Sequence, residues 1–203
     1  MLLAPESDLR VSLVQADTVW RDAAANRSLY GGLVRPLAGV ADLVVLPETF
    51  TSGFGDEAIA EAETMHGAGV AWLRALADEV GAVVTGSMVI AEGGRVWNRL
   101  LWAEPGGGLL WYDKRHLFRM ADEHLRYGQG ESRIITRWRG WRVLPQVCYD
   151  LRFRCGAATA CRKRADASTT WRCMSPTGPA RAATPGAPCC GRGRSRTWPL
   201  SSA

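Results

Sequence analysis

Up to about residue 153 the apolar positions recur with the periods of strands and helices. Leu9 to Ala16 is a short aliphatic run that predicts a buried strand. Asp22 to Ala38 is rich in helix formers, with Asp22 placed to cap a helix and Gly31-Gly32 interrupting it. Asp42 to Pro47 predicts a second strand, so the chain opens as strand, helix, strand. Val70, Leu73, Ala77 and Val80 then recur at helical spacing, and Gly81 stands where a left-handed C-terminal cap belongs. Ala82 to Ala91, Val96 to Ala103 and Leu109 to Tyr112 predict three strands. The turn Glu104-Pro105-Gly106-Gly107-Gly108 makes the last two a hairpin. Arg142 to Val147 predicts one more strand, which delivers Cys148. The pattern is that of an α/β protein with a partly antiparallel sheet.

After Phe153 the pattern stops. Residues 154–203 hold ten Ala, eight Arg, five Pro, five Gly and one Leu, with no Val, Ile, Phe or Tyr. Such a segment buries too little apolar surface to offset the entropy of ordering it, and it is expected to be disordered. The chain therefore divides at 1–153 and 154–203, within a length of 203 residues that suits one large domain or two small ones.

Charge divides at the same place. Residues 1–153 carry 16 Lys and Arg against 19 Asp and Glu, whereas residues 154–203 carry nine against one. The basic pI near 9.1 belongs to the second segment, so a nucleic-acid or membrane partner is not expected for the first. Five of six cysteines lie beyond residue 153, and Cys148 is the only one before it. The chain shows neither a secretory pattern at its start nor an apolar run of membrane-spanning length, and a reducing cytoplasm is expected. In that compartment a lone cysteine is a candidate nucleophile. The later cysteines form no CxxC pair and have no His nearby, and Gly106–Gly108 lacks a phosphate-loop pattern, so no metal and no cofactor are expected.

Three short pieces stand at predicted strand ends: Leu46-Pro47-Glu48-Thr49-Phe50, Tyr112-Asp113-Lys114-Arg115-His116-Leu117-Phe118 and Gln146-Val147-Cys148-Tyr149-Asp150-Leu151-Arg152-Phe153. Taken singly, Glu48 reads as a solvated loop carboxylate, Lys114 as a surface charge and Cys148 as a small buried hydrophobe. Taken together they supply the base, the cation and the nucleophile that acyl transfer through sulfur needs. His116 is the other base within the same pieces, giving an alternative Cys-His pair.

The order and wording of these pieces resemble the Glu-Lys-Cys triad of the nitrilase superfamily, over about three quarters of the chain. The stretches 47–54, 113–118 and 148–153 look like its ω-amidase branch. The resemblance implies an α-β-β-α sandwich, here incomplete on its C-terminal side, and a carbon–nitrogen hydrolase acting on linear amides such as 2-oxoglutaramate. Glu48 is then the general base, Cys148 the nucleophile and Lys114 the support for the oxyanion. Glu123, a few residues before Gly130, matches a second glutamate of the family, and His116 becomes a structural residue. The partners implied are the small amide and water, and the intact family members are expected to be homo-oligomers.

Two readings of residues 154–203 remain. One is a basic tail that binds nucleic acid beside a non-catalytic domain, although Trp171 and Trp198 are its sole aromatics. The other is a frameshift near codon 154: moving a back-translation of Cys189–Pro199 by one base yields LLRARAIENLA, an amphipathic pattern. On that reading the chain itself is expected to be inactive and poorly folded.

Overall fold

A computed structural model describes residues 8–153 and the backbone of residues 170–175. The opening βαβ unit forms as expected. β1 (Val11–Leu13) pairs in parallel with β2 (Leu43–Val45), joined by α1 (Ala23–Val34) and a 3-10 turn at Arg35–Leu37. Asp22 caps α1 by accepting a hydrogen bond from the Ala25 amide at 2.8 Å. The helix passes through Gly31-Gly32 and tightens at Pro36, whose missing N–H and ring disfavour a further α turn.

α2 (Ala68–Val80) crosses back to β3 (Val83–Glu92), which adds to β2 in parallel. Gly81 ends α2 in the left-handed region at φ 65°, as its position in the sequence predicts. β4 (Arg95–Ala103) and β5 (Leu109–Asp113) continue the sheet antiparallel, completing the order β1-β2-β3-β4-β5. A second sheet joins β6 (Thr136–Trp138), β7 (Trp141–Val147) and β8 (Thr170–Ser175).

Side-chain alternation divides the core between the two faces of the first sheet. Val44, Leu46, Val84, Leu101 and Ala103 pack with Tyr30 and Val34 of α1 and with Val70, Leu73, Leu76 and Ala77 of α2. Leu43, Val45, Val83, Leu100, Trp102 and Tyr112 face the other way, against Val143 and Val147 of β7. Two sheets thus stack with helices outside the first, which is the expected α/β sandwich in part. Trp138 ties the layers by donating from its indole nitrogen to the Asp42 carbonyl at 2.7 Å.

One expectation is corrected. Residues 170–175 fall in the segment expected to be disordered, yet they form β8, parallel to β7 with Val147 opposite Ser175. Thr170 and Trp171 suit a strand, and β7 offers the edge on which they pair. The rest of 154–203, with the expected disorder, the basic tail and its cysteine side chains, lies outside the described residues.

Candidate active site

β2, β3 and β5 point the same way in the first sheet and β4 runs against them, so one edge collects the ends of the three and the start of β4. Glu48 follows β2 at this edge. Its loop is pinned to β3, because the amides of Leu46 and Phe50 donate to the carbonyls of Thr85 and Ser87, and the Thr49 amide donates to Ser87 Oγ. Gly86 makes that seat possible, since a Cβ there would stand 2.8 Å from Leu46 Cβ. Lys114 follows β5, held by its amide donating to the Asn98 carbonyl at 2.9 Å. Glu123 opens the short helix α3 (Glu123–Arg126) and turns its carboxylate back under the sheet edge.

The side chains meet in a dry cluster. Lys114 Nζ donates to Glu48 Oε1 at 2.8 Å and to Glu123 Oε1 and Oε2 at 3.0 and 2.9 Å. All three side chains are no more than 1% exposed. Asn98 Nδ2 donates to Glu48 Oε1 at 2.7 Å and Glu123 Oε1 at 3.1 Å, bridging the two carboxylates. The Phe118 amide completes the shell on Glu123 Oε2 at 2.6 Å. Burial on its own would lower the Lys114 pKa, but the adjacent charges of Glu48 and Glu123 outweigh it and hold the ammonium above its ordinary range. Glu48 Oε2 and Asn98 Oδ1 are buried without a hydrogen-bond partner among the described residues. Two carboxylates and one ammonium give the cluster a formal charge of −1.

Cys148 follows β7 half buried, packed against the apolar core between the sheets. Its φ of 42° lies in the left-handed region, which costs an L-residue about 1–2 kcal/mol. Asp150 holds this turn. Fully buried, it accepts from the Val147 amide at 3.0 Å, Tyr112 Oη at 2.9 Å and the His116 amide at 2.8 Å. His116 Nδ1 lies 2.8 Å from the same carboxylate, and the ring stacks on Phe153 at 4.0 Å. Tyr112 and His116 flank Lys114, so Asp150 fastens the turn that starts at Cys148 to the strand end that presents the ammonium. Burial, then the adjoining Asp150 charge, pushes the Tyr112 phenol well above its ordinary range, and it stays a donor.

Of the four residues singled out from the sequence, Glu48, Lys114 and Glu123 are in direct contact, and the turn that begins at Cys148 is fastened through Asp150 to the residues on either side of Lys114. His116 packs as a structural side chain in that neighbourhood, bound to Asp150 and Phe153. Asn98 and Asp150 were not singled out. Asn98 had a signal, an uncharged polar residue inside the apolar run of β4; Asp150 had one in its place within the Cys148 piece. Among the described residues no group of three or more His, Cys, Asp or Glu is arranged to hold a metal ion, and no helix is long and apolar enough to cross a membrane.

The carbon-nitrogen hydrolase family model matches residues 10–201. An ω-amidase of Escherichia coli is 49% identical over 146 residues, 71% of this chain and 56% of that protein. A 2-oxoglutaramate amidase of Bacillus subtilis is 32% identical over 116 residues, 56% of this chain and 45% of that protein. A CN-hydrolase superfamily protein from Xanthomonas campestris, solved with an arsenic adduct in its active site, is 59% identical with a TM-score of 0.71, covering 72% of this chain and 56% of that one. The chain spans about half the length of these relatives. By family model, relatives and fold together, it belongs to the carbon-nitrogen hydrolase family of the nitrilase superfamily, where it is similar to ω-amidases.

Proposed function

We propose that this site hydrolyses the carbon–nitrogen bond of a small terminal amide through a thioester on Cys148. The observation that carries the reading is the buried Glu48 carboxylate, whose Oε1 is taken by Lys114 and Asn98 while Oε2 is left without a partner among the described residues. An unpartnered carboxylate oxygen in a dry site is a ready proton acceptor, and the half-buried thiol of Cys148 is the group to be activated. Glu48 takes the thiol proton, and the sulfur attacks the amide carbon to form a tetrahedral oxyanion. The carbon–nitrogen bond then breaks as Glu48 returns the proton to nitrogen, and ammonia leaves. Water, deprotonated by Glu48, attacks the thioester and releases the carboxylic acid and the thiol.

Lys114 acts in this scheme through its charge. An ammonium has three N–H bonds, and contacts to three carboxylate oxygens account for them, so it supports the oxyanion as a fixed positive centre in a low-dielectric site. Glu123 anchors that centre from its far side.

The substrate we favour is the ω-amide of a 2-oxo dicarboxylic acid, 2-oxoglutaramate or a close analogue, on the similarity to proteins of that activity. Residues 1–153 form the hydrolase portion in this reading, and 154–203 an out-of-frame segment. The test is ammonia release from 2-oxoglutaramate by the frame-restored chain and by its Cys148→Ala variant. Turnover should disappear in the variant, with a thioester-sized mass increase trapped on Cys148 in the parent. Turnover that survives the substitution refutes the nucleophile.

A further inference from the structure

The mechanism leaves one buried group without a task. Asn98 stands in the middle of β4, 1% exposed, on a strand otherwise apolar at its buried positions except for the ion-paired Arg99. Its Nδ2 bonds both Glu48 and Glu123, and its Oδ1 has no partner among the described residues. An amide buried at the cost of an unmade hydrogen bond is retained for what its other end does.

We infer that Asn98 is a positioning residue that selects which oxygen of Glu48 takes the proton and keeps the site's charge at −1; this rests on the function proposed above. Two donors, Lys114 Nζ and Asn98 Nδ2, converge on Glu48 Oε1 at 2.8 and 2.7 Å. With Oε1 doubly bonded, the open lone pairs are those of Oε2. Asn98 also lets two carboxylates share one ammonium, since it gives both a neutral donor where a carboxylate-sized acceptor would repel them. The ionisable groups around Glu48 are Lys114 after β5, Glu123 of α3 and Tyr127 beyond it, whose phenol is raised by burial first and then by the charges of Glu123 and Glu48.

Asn98→Asp is the test, because it keeps the size and replaces the donor with a negative acceptor. The probe is iodoacetamide on the frame-restored chain, with alkylation of Cys148 followed by peptide mass spectrometry against pH, so that any other cysteines do not interfere. Cys148 of the parent should show a pH profile displaced from that of a simple thiol. Asn98→Asp should slow alkylation near neutrality about tenfold, the effect of raising a thiol by about one pKa unit, and move the midpoint upward. The double variant Asn98→Asp/Glu123→Gln restores the charge to −1 and should recover the parent profile. Where Asn98→Asp unfolds in circular dichroism, the double variant decides: a parent-like profile supports the inference and any other profile overturns it. Parent-like behaviour of a folded Asn98→Asp variant overturns it too. A parent Cys148 that titrates as a simple thiol removes both the inference and the function on which it rests, whereas a displaced parent profile indifferent to Asn98 removes the inference alone.

Discussion

Lys114→Met isolates the electrostatic cost of the site. The substitution keeps a long flexible side chain and deletes one charge with three hydrogen bonds of 2.8 to 3.0 Å, leaving Glu48 and Glu123 buried with Asn98 and the Phe118 amide as their remaining donors. Charge-assisted bonds are worth about 1.5–3 kcal/mol each when counted singly. Their sum overstates the loss, because the buried ammonium carries its own desolvation penalty. Removing one partner of a buried ion pair costs about 3–5 kcal/mol, a large share of the ~5–15 kcal/mol that holds a domain together. For a chain of 203 residues, at ~2–4 °C per kcal/mol, the melting temperature should fall by about 6–20 °C.

Sign and pH window follow from the raised Lys114 pKa. A cation whose folded pKa lies above its unfolded value contributes its full stabilisation below the unfolded value, ~10.4, and loses it as pH rises through the folded one. The gap between parent and variant should therefore be flat from neutrality to about pH 10 and close above it. Lys114→Met/Glu123→Gln, with one fewer unpaired charge, should recover part of the loss. Circular dichroism melts across that range provide the measurement. A variant that melts with the parent at pH 7, or a gap that widens in alkali, would refute the view that the ammonium neutralises this cluster.

Other consequences are open to the same methods. Asp150→Asn keeps the shape but loses charge-assisted acceptance from His116 and Tyr112; it should cost about 1–3 kcal/mol in denaturant titrations and alter the rate of Cys148 alkylation. Gly130→Ala would drive a Cβ into the Asp113 carbonyl oxygen, a backbone atom, so the loop that seats Lys114 must move; a stability loss of about 1–3 kcal/mol is expected from thermal melts. The chain as it stands should release ammonia from an ω-amide far more slowly than its frame-restored version and melt at a lower temperature. Comparable turnover and cooperative melting of the two would make residues 154–203 a working part of the enzyme.

Much of this arrangement was legible from residue order, and the exceptions have physical causes. The three chemical pieces stood out because each follows an apolar run, and strand ends are where a sheet presents polar groups. Glu123 emerged from its resemblance to a family pattern, since a glutamate before a four-residue helix has no periodic context of its own. β1 forms over three residues of the eight in its apolar run, because β2 offers only Leu43–Val45 as partners. β6 escaped notice: three residues with Arg137 at the centre give too short a period to detect. Asn98 and Asp150 are harder cases. The worth of each lies in contacts with residues 25 to 50 positions away in the chain, and local pattern carries no record of those distances.

Every ligand of the Lys114 ammonium belongs to the chain before Arg126, and Cys148 arrives later, in the turn just past a strand of the other sheet. During synthesis from the N-terminus, the counter-charges emerge as a matched set and the sulfur follows. The reactive group is thereby delivered to a frame whose charges can already be satisfied without it. In terms of modularity, the first sheet owns the electrostatics and the second contributes the nucleophile, and the carboxylate of Asp150 fastens the nucleophile turn to the strand end that carries the ammonium. Exchange of the nucleophile strand between related chains would then leave the charged frame intact, provided that an acidic residue two places after the cysteine came with it.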